Sequence, residues 1–367
     1  MNMTLCSPSP SLRRLGLLLA VAAAPAVAPA ADAGRAFVTN EKGGVAVVDL
    51  ATMQLKRDFA TGLEGARGIS LTGDGRWLLT ANRGSGDVAV IDAKTGEVTR
   101  RIKIGENPEF IRVRGDFAYV SYEPGERPGG PPPMPGASAP AAAPDSGKPE
   151  EDDEAEEPAE VAVIDLKRWQ VVKRIKSGRE TEGIEFSRDG RHMVVTNEGD
   201  QTVSMYDRAS GKLLRSVKTA KWGTRPRGIA RLPDGSGYLV TLEFSAKLVL
   251  LDNQLRFKRE IATGNSPYGV AFDPSGQRLY VASARSDRVD VFDAKTYAPL
   301  MQLPVGKRCW HFSFTPAGDK LLVACGRSDA LYTFDLPQHT PAARIEGLAM
   351  PWGIVTSPKA VGSIDTY

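Results

Sequence analysis

One short pattern returns seven times along this 367-residue chain, and that recurrence limits its fold more than any other feature. The stretches are VAVVD ending at Asp49, VAVID at Asp92, VAVID at Asp165, VSMYD at Asp207, LVLLD at Asp252, VDVFD at Asp293 and LYTFD at Asp335. Successive closing aspartates stand 43, 73, 42, 45, 41 and 42 residues apart, so only the second interval carries an insertion. Each copy follows an apolar run such as FVTN or VVTN and precedes an alternating segment such as VVKRIKSG. A short piece such as RPRGIARLPDG or SPYGVAFDPSG completes the unit. Apolar–polar alternation bounded by Gly, Pro and Asp turns folds as antiparallel strands in hairpins. Four strands in about 42 residues make one propeller blade. The expected fold is therefore all-β, a seven-bladed β-propeller with four antiparallel strands per blade. The 37 glycines and 26 prolines suit such a turn-rich chain.

The residues Val38-Thr39-Asn40 and Val195-Thr196-Asn197, the V-x-V-x-D strands, and P-x-G at Pro226-Arg227-Gly228, Pro267-Tyr268-Gly269 and Pro351-Trp352-Gly353 carry a resemblance. Over nearly all of the chain beyond residue 30, it resembles the YVTN-repeat β-propeller family. The resemblance implies that P-x-G opens the innermost strand A and V-T-N closes strand B. V-x-V-x-D is then strand C, and strand D lies outermost. The first copy starts at strand B (Ala36) and the last ends with a lone strand A (Gly353 to Ser357), so the closing blade is expected to combine both termini. Such closure removes the open edges of a linear array. Asp49, Asp92, Asp207 and Asp293 each have Thr or Ser three residues later, which suits turn-forming rather than catalytic aspartates.

Residues 1–30 read as a secretory signal peptide: Arg13 and Arg14, an apolar run from Leu15 to Val27, then Ala28-Pro29-Ala30. The expected product is an exported, periplasmic monomer without a membrane span, consisting of one propeller over residues 31–367. Residues 124–160 hold ten prolines, no aromatic residue, and ten acidic against two basic residues, and they read as a disordered loop. Without the leader and this segment, 43 basic residues face 34 acidic ones, a net +9. An acidic tether thus accompanies a basic disc, as a solvated spacer or as a charged flap over the disc's upper face.

Two sets of positions surround the upper mouth of the channel. The residue before the Gly of P-x-G runs Arg67, Glu109, Glu182, Arg227, Tyr268, Trp310, Trp352. The charged residues at the position after the Asn of V-T-N, or one place beyond it, run Glu41, Arg83, Glu123, Glu198, Glu243, Arg285, Arg327. Tyr268, Trp310 and Trp352 are expected to form one aromatic wall, with His311, Arg67, Arg227, Arg285 and Arg327 completing a site for a small, flat anion. Glu109, Glu123, Glu182, Glu198 and Glu243 gather opposite and suggest oxygen ligands for Ca²⁺ or another divalent cation. Pairing Phe314 with Leu321 sets Cys309 opposite Cys325, so a disulfide is expected there.

No C-x-x-C-H, histidine cluster or G-x-S-x-G occurs in the sequence. The resemblance implies chiefly a non-enzymatic binding or scaffold propeller, docking an anionic ligand or a periplasmic protein on its upper face. The alternative is metal-assisted hydrolysis of a lactone-like substrate at the glutamates. A second alternative is nucleic-acid or polyanion binding, which the +9 disc with its Trp and Arg residues would suit. Because loop-closure entropy changes slowly with length, deleting about 30 residues between Pro124 and Glu160 should leave the melting temperature nearly unchanged. A thermal melt of the deletion variant checks this, and a large drop would show packing against the disc.

Overall fold

The computed structural model describes Met1 and residues 34–59, 62–123, 158–336 and 338–365. The expected leader (1–30) and residues 124–157 of the expected insertion lie outside the described residues. Glu160 already belongs to a strand, paired with Tyr122. Seven four-stranded antiparallel sheets follow one another as blades, each ordered from inner strand A to outer strand D. Blade 1 is the closing blade. Its strand A, Pro351–Ser357, pairs with strand B, Arg35–Asn40, in a register that sets Ala36 against Thr356. The two ends of the chain therefore share one sheet, as the repeat phase requires.

The burial pattern follows strand position. The C strands are mostly buried, Val45–Asp49 in all but its last residue, whereas the D strands, such as Leu213–Lys218, are largely exposed. Blade faces pack against their neighbours: Ala36, Val38, Ala46 and Val48 of blade 1 meet Leu322, Ala324 and Leu331 of blade 7. The aspartate ending strand C turns the chain into strand D. Asp293 accepts bonds from the Thr296 amide (2.8 Å) and hydroxyl (2.9 Å), and Asp49 does the same with Thr52. Among the described residues, no helix is long and apolar enough to cross a membrane.

The P-x-G glycine has a packing reason. A Cβ on Gly228 would lie 2.0 Å from the Tyr268 carbonyl oxygen of the next blade, and one on Gly353 would lie 2.7 Å from that of Arg67. The threonine of V-T-N ties the same groups together. Thr241 accepts the Gly228 amide (2.7 Å) and donates to the Tyr268 carbonyl (3.1 Å), while Thr196 serves Gly183 (2.8 Å) and Arg227 (2.5 Å) in the same way. The register of strands A and B shifts between Pro226 and Ile229, a bulge at the x–G pair that re-aims the x side chain.

Blades 3 and 7 depart from the rule, placing Phe110 and His311 where the others have glycine. Their rings come within 6.2 Å of each other and fill the channel. Beneath them, residues 358–365 fold back into the bore: Gly362 bridges to Ser313, and Arg112 donates to the Ile364 carbonyl (2.8 Å). A disulfide joins Cys309 to Cys325, linking strands A and B of blade 7 with their Cα atoms 3.8 Å apart. Substituting Thr241 by isosteric Val leaves the Gly228 amide and Tyr268 carbonyl short of a buried partner. The expected loss is about 1–3 kcal/mol, read as a lower denaturant midpoint.

Candidate functional site

All seven x residues of the inner strands converge on the upper channel, where ion pairs organise them. Arg67 reaches both Glu109 oxygens at 2.7 Å and also pairs with Glu41. Arg227 pairs with Glu182 (3.1 Å), Glu198 (2.7 Å) and Glu243 (2.5 Å), and donates to the Tyr268 hydroxyl at 2.6 Å. Burial opposes the charge on both arginines. The carboxylates outweigh it, Glu109 and Glu41 for Arg67, Glu182 and Glu243 for Arg227, and hold both groups above the ordinary arginine range. Burial pushes the Tyr268 phenol up, so it stays neutral.

Tyr268 and Trp352 belong to one buried cluster, against which Trp310 packs. Tyr268 and Trp352 meet edge to face at 6.3 Å, with His311 4.3 Å from Trp352 and 5.4 Å from Tyr268. Trp352 is only 2% exposed and His311 3%, so this cluster belongs to the channel filling. Trp310 stays half-buried with its ring against Gly326, where a Cβ would meet it at 1.8 Å. His311 Nδ1 faces the Ser363 hydroxyl at 3.0 Å, while its Nε2 lacks a hydrogen-bond partner among the described residues.

The glutamates named as candidate cation ligands are engaged by guanidinium groups. Glu109 binds Arg67, Glu182 and Glu243 bind Arg227, and Glu198 sits between Arg225 and Arg227. Glu123 follows directly on its strand, its amide bonded to the Glu106 carbonyl. Arg67 and Arg227 stand among these oxygens. Among the described residues, no group of three His, Cys, Asp or Glu side chains is arranged to hold a metal ion.

A third ring of positions escaped the sequence reading. The residue two before x adopts a left-handed backbone in every blade: Gly65, Asn107, Glu180, Arg225, Ser266, Arg308 and Met350. Arg225 joins the carboxylate network through Glu198, whereas Arg308 joins a different group. Burial, then the charges of Arg285 and Arg327, lowers the Arg308 pKa. None of these three side chains has a hydrogen-bond or ion-pair partner among the described residues. The upper mouth thus has a neutralised half, built on Arg67 and Arg227, and an uncompensated cationic half. Seven positive-φ positions leave only chain position as a signal for this ring, two residues ahead of the one that was read.

A family model described as the cytochrome D1 heme domain matches residues 157–311, less than half of the chain. Solved structures share the fold. A periplasmic gluconolactonase of Pseudomonas aeruginosa superposes with a TM-score of 0.69 at 16% identity, covering 88% of this chain and 98% of that one. A functionally unknown protein from Desulfotomaculum acetoxidans gives 0.70 at 15%, with the same 88% and 98% coverage. The dihydro-heme d1 dehydrogenase NirN in complex with DHE gives 0.58 at 15%, covering 88% of this chain and 66% of that one. No curated protein matches. At these identities the likeness establishes the propeller fold, and it names no YVTN-type repeat.

The expectation of a non-enzymatic binding or scaffold propeller does not stand. The family model that matches residues 157–311 is that of a heme domain, and this finding overturns it. Among the described residues, no histidine stands open to a heme at the upper mouth. His311 is walled in by Trp352 and Tyr268, and His339 is bonded to the Tyr280 hydroxyl at 2.7 Å. His192 opens a strand B at the opposite end of its blade from the upper mouth.

Burial, followed by the charges of Arg112 and Arg227, pulls the His311 pKa from 6.5 down to about 3. The unfolded chain takes a proton at this residue near pH 6.5, which the folded chain refuses until about pH 3. Its neutral form is therefore no burden above pH 6.5, and stability falls as pH drops from there toward 3. His311→Gln should flatten this part of the profile by about 1.4 kcal/mol per pH unit, read from denaturant midpoints between about pH 6 and pH 4.

Proposed function

We propose that the upper channel mouth hydrolyses a small anionic lactone. One observation carries this reading: Arg285, Arg308 and Arg327, without carboxylate partners among the described residues, adjoin a buried Arg–Glu network. The arginine trio supplies an anchor for a phosphate or carboxylate on the substrate. Arg227, fixed in its charged state, is a preorganised donor for the oxyanion that forms when water adds to the ester carbonyl. Glu182, 3.1 Å from Arg227, is the carboxylate assigned to take the proton from that water. The ring C–O bond then breaks, the leaving oxygen regains the proton, and a hydroxy acid departs. Guanidinium groups here take the electrophilic role assigned above to a metal ion. The gluconolactonase likeness supports the substrate class, and the motif residues support a YVTN-type repeat lineage. Export to the periplasm is supported by the leader-like residues 1–30 and by the Cys309–Cys325 disulfide.

The test is hydrolysis of glucono-δ-lactone and its 6-phosphate, corrected for spontaneous opening. The phosphorylated lactone should turn over faster. Arg308→Gln should raise its KM about tenfold with little change in kcat, and Glu182→Gln should lower kcat about 100-fold. No rate above the spontaneous one with either lactone would overturn the reading.

A further inference from the structure

The opposite, lower mouth of the channel is a second chamber that the hydrolytic reading does not use. A cavity of about 450 Å³ opens there between the A–B turns of blades 4, 5 and 6, with Val361 of the folded-back terminal segment among its lining residues. Leu232, Phe272 and Val361 give it an apolar lining, and Arg114, Arg188 and Arg231 add positive charge. Its size and its mixture of apolar wall with a few charged groups are those of small-molecule sites.

Three arginines and two carboxylates line this chamber. Arg114 donates to the Arg188 carbonyl (3.2 Å) with its guanidinium over the Phe186 ring at 5.5 Å, and Arg188 donates to the Asp234 carbonyl (3.0 Å). Neither guanidinium pairs with a carboxylate among the described residues. Two carboxylates border the cavity, and both have other work. Glu185 is paired with buried Arg112 at 2.9 Å. Asp273 accepts the Ser275 hydroxyl and the Gln277 amide, each at 2.9 Å, and so holds its own turn. A neighbouring cavity of about 580 Å³ shares Arg114 and is lined by Arg208 and Lys359 together with Asp116 and Asp189. Burial, then the charge of Arg231, lowers the Arg114 pKa and outweighs the opposing pull of Glu185.

We propose that the lower mouth binds a small organic anion with an apolar body, its carboxylate on Arg114 and Arg188 and its body against Leu232, Phe272 and Val361. Because Val361 lies in the segment that fills the bore, the ligand bridges that segment to the blade turns and steadies it. This site is independent of the hydrolytic reading, and its test needs no turnover.

The probe is 2-naphthoate, titrated calorimetrically against the full chain beside 2-naphthamide, which keeps the body without the charge, and acetate, which keeps the charge without the body. Naphthoate should bind one per chain and raise the melting temperature, with the amide and acetate at least about tenfold weaker. Arg114→Gln and Arg188→Gln should each weaken naphthoate about tenfold, Arg114→Lys should retain most of the affinity, and Arg308→Gln on the upper mouth should leave it unchanged. Absence of naphthoate binding would overturn the proposal, as would equal affinity for the amide. Indifference to both lower-mouth variants, or loss on Arg308→Gln, would do the same.

Discussion

The propeller is held closed by how near one inner strand comes to the next. At Gly228 and Gly353 the backbone of one blade lies against the carbonyl of its neighbour, at a distance that forbids a Cβ. A threonine hydroxyl from strand B bonds across the same gap. Seven blades must pass around a ring, and each wedge is thinnest at the axis. A residue without a side chain is therefore needed at the crowded point, and the x residue beside it is turned into the channel. The spacing that packs the blades is the same spacing that assembles the charged ring, so fold and site arise from one geometric requirement.

Two copies break this requirement and thereby shape the interior. With Phe110 and His311 at the glycine position, the bore is blocked at mid-height, and His311 stays neutral because burial there excludes its charged form. Around it the electrostatics separate. Arg67 and Arg227 are saturated by glutamates, and charge without a carboxylate partner among the described residues collects at Arg308 above and Arg114 below. Paired groups give a stiff frame, and groups left over are where a ligand's charge gains most.

The seven-fold architecture and the shared closing blade were legible because period-two alternation and a spacing near 42 residues speak directly of strands and blades. The charged ring was legible only in part: Glu41, Arg83, Glu123, Glu198 and Glu243 directly follow the residue that ends strand B, whereas Ala284 and Gly326 take that place in the last two repeats and Arg285 and Arg327 come one residue later. Their partners were not legible. Arg227 meets Glu182, Glu198 and Glu243 from 16 to 45 residues away, and only the blade-to-blade approach decides that these oxygens face guanidinium groups. Arg308 was missed because nothing in its residue type reports a left-handed backbone, and the segment after Ser357 was missed because it has no repeat to align with. The activity class misled for a related reason: a family of motifs describes the frame, and chemistry resides in the residues that the frame turns inward.

The segment from Pro358 to Asp365 has a consequence for transport. Held by Arg112, by Ser313 and by the Ser70 hydroxyl on Asp365, it seals the bore below His311. A ring that looks like a conduit is then two blind cups set back to back. A molecule entering one cannot leave by the other, so each mouth meets its own solute and exchanges with solvent at its own rate. What passes between them runs through the few residues that form the shared floor, His311 among them, which feels the charge of Arg227 from above and of Arg112 from below.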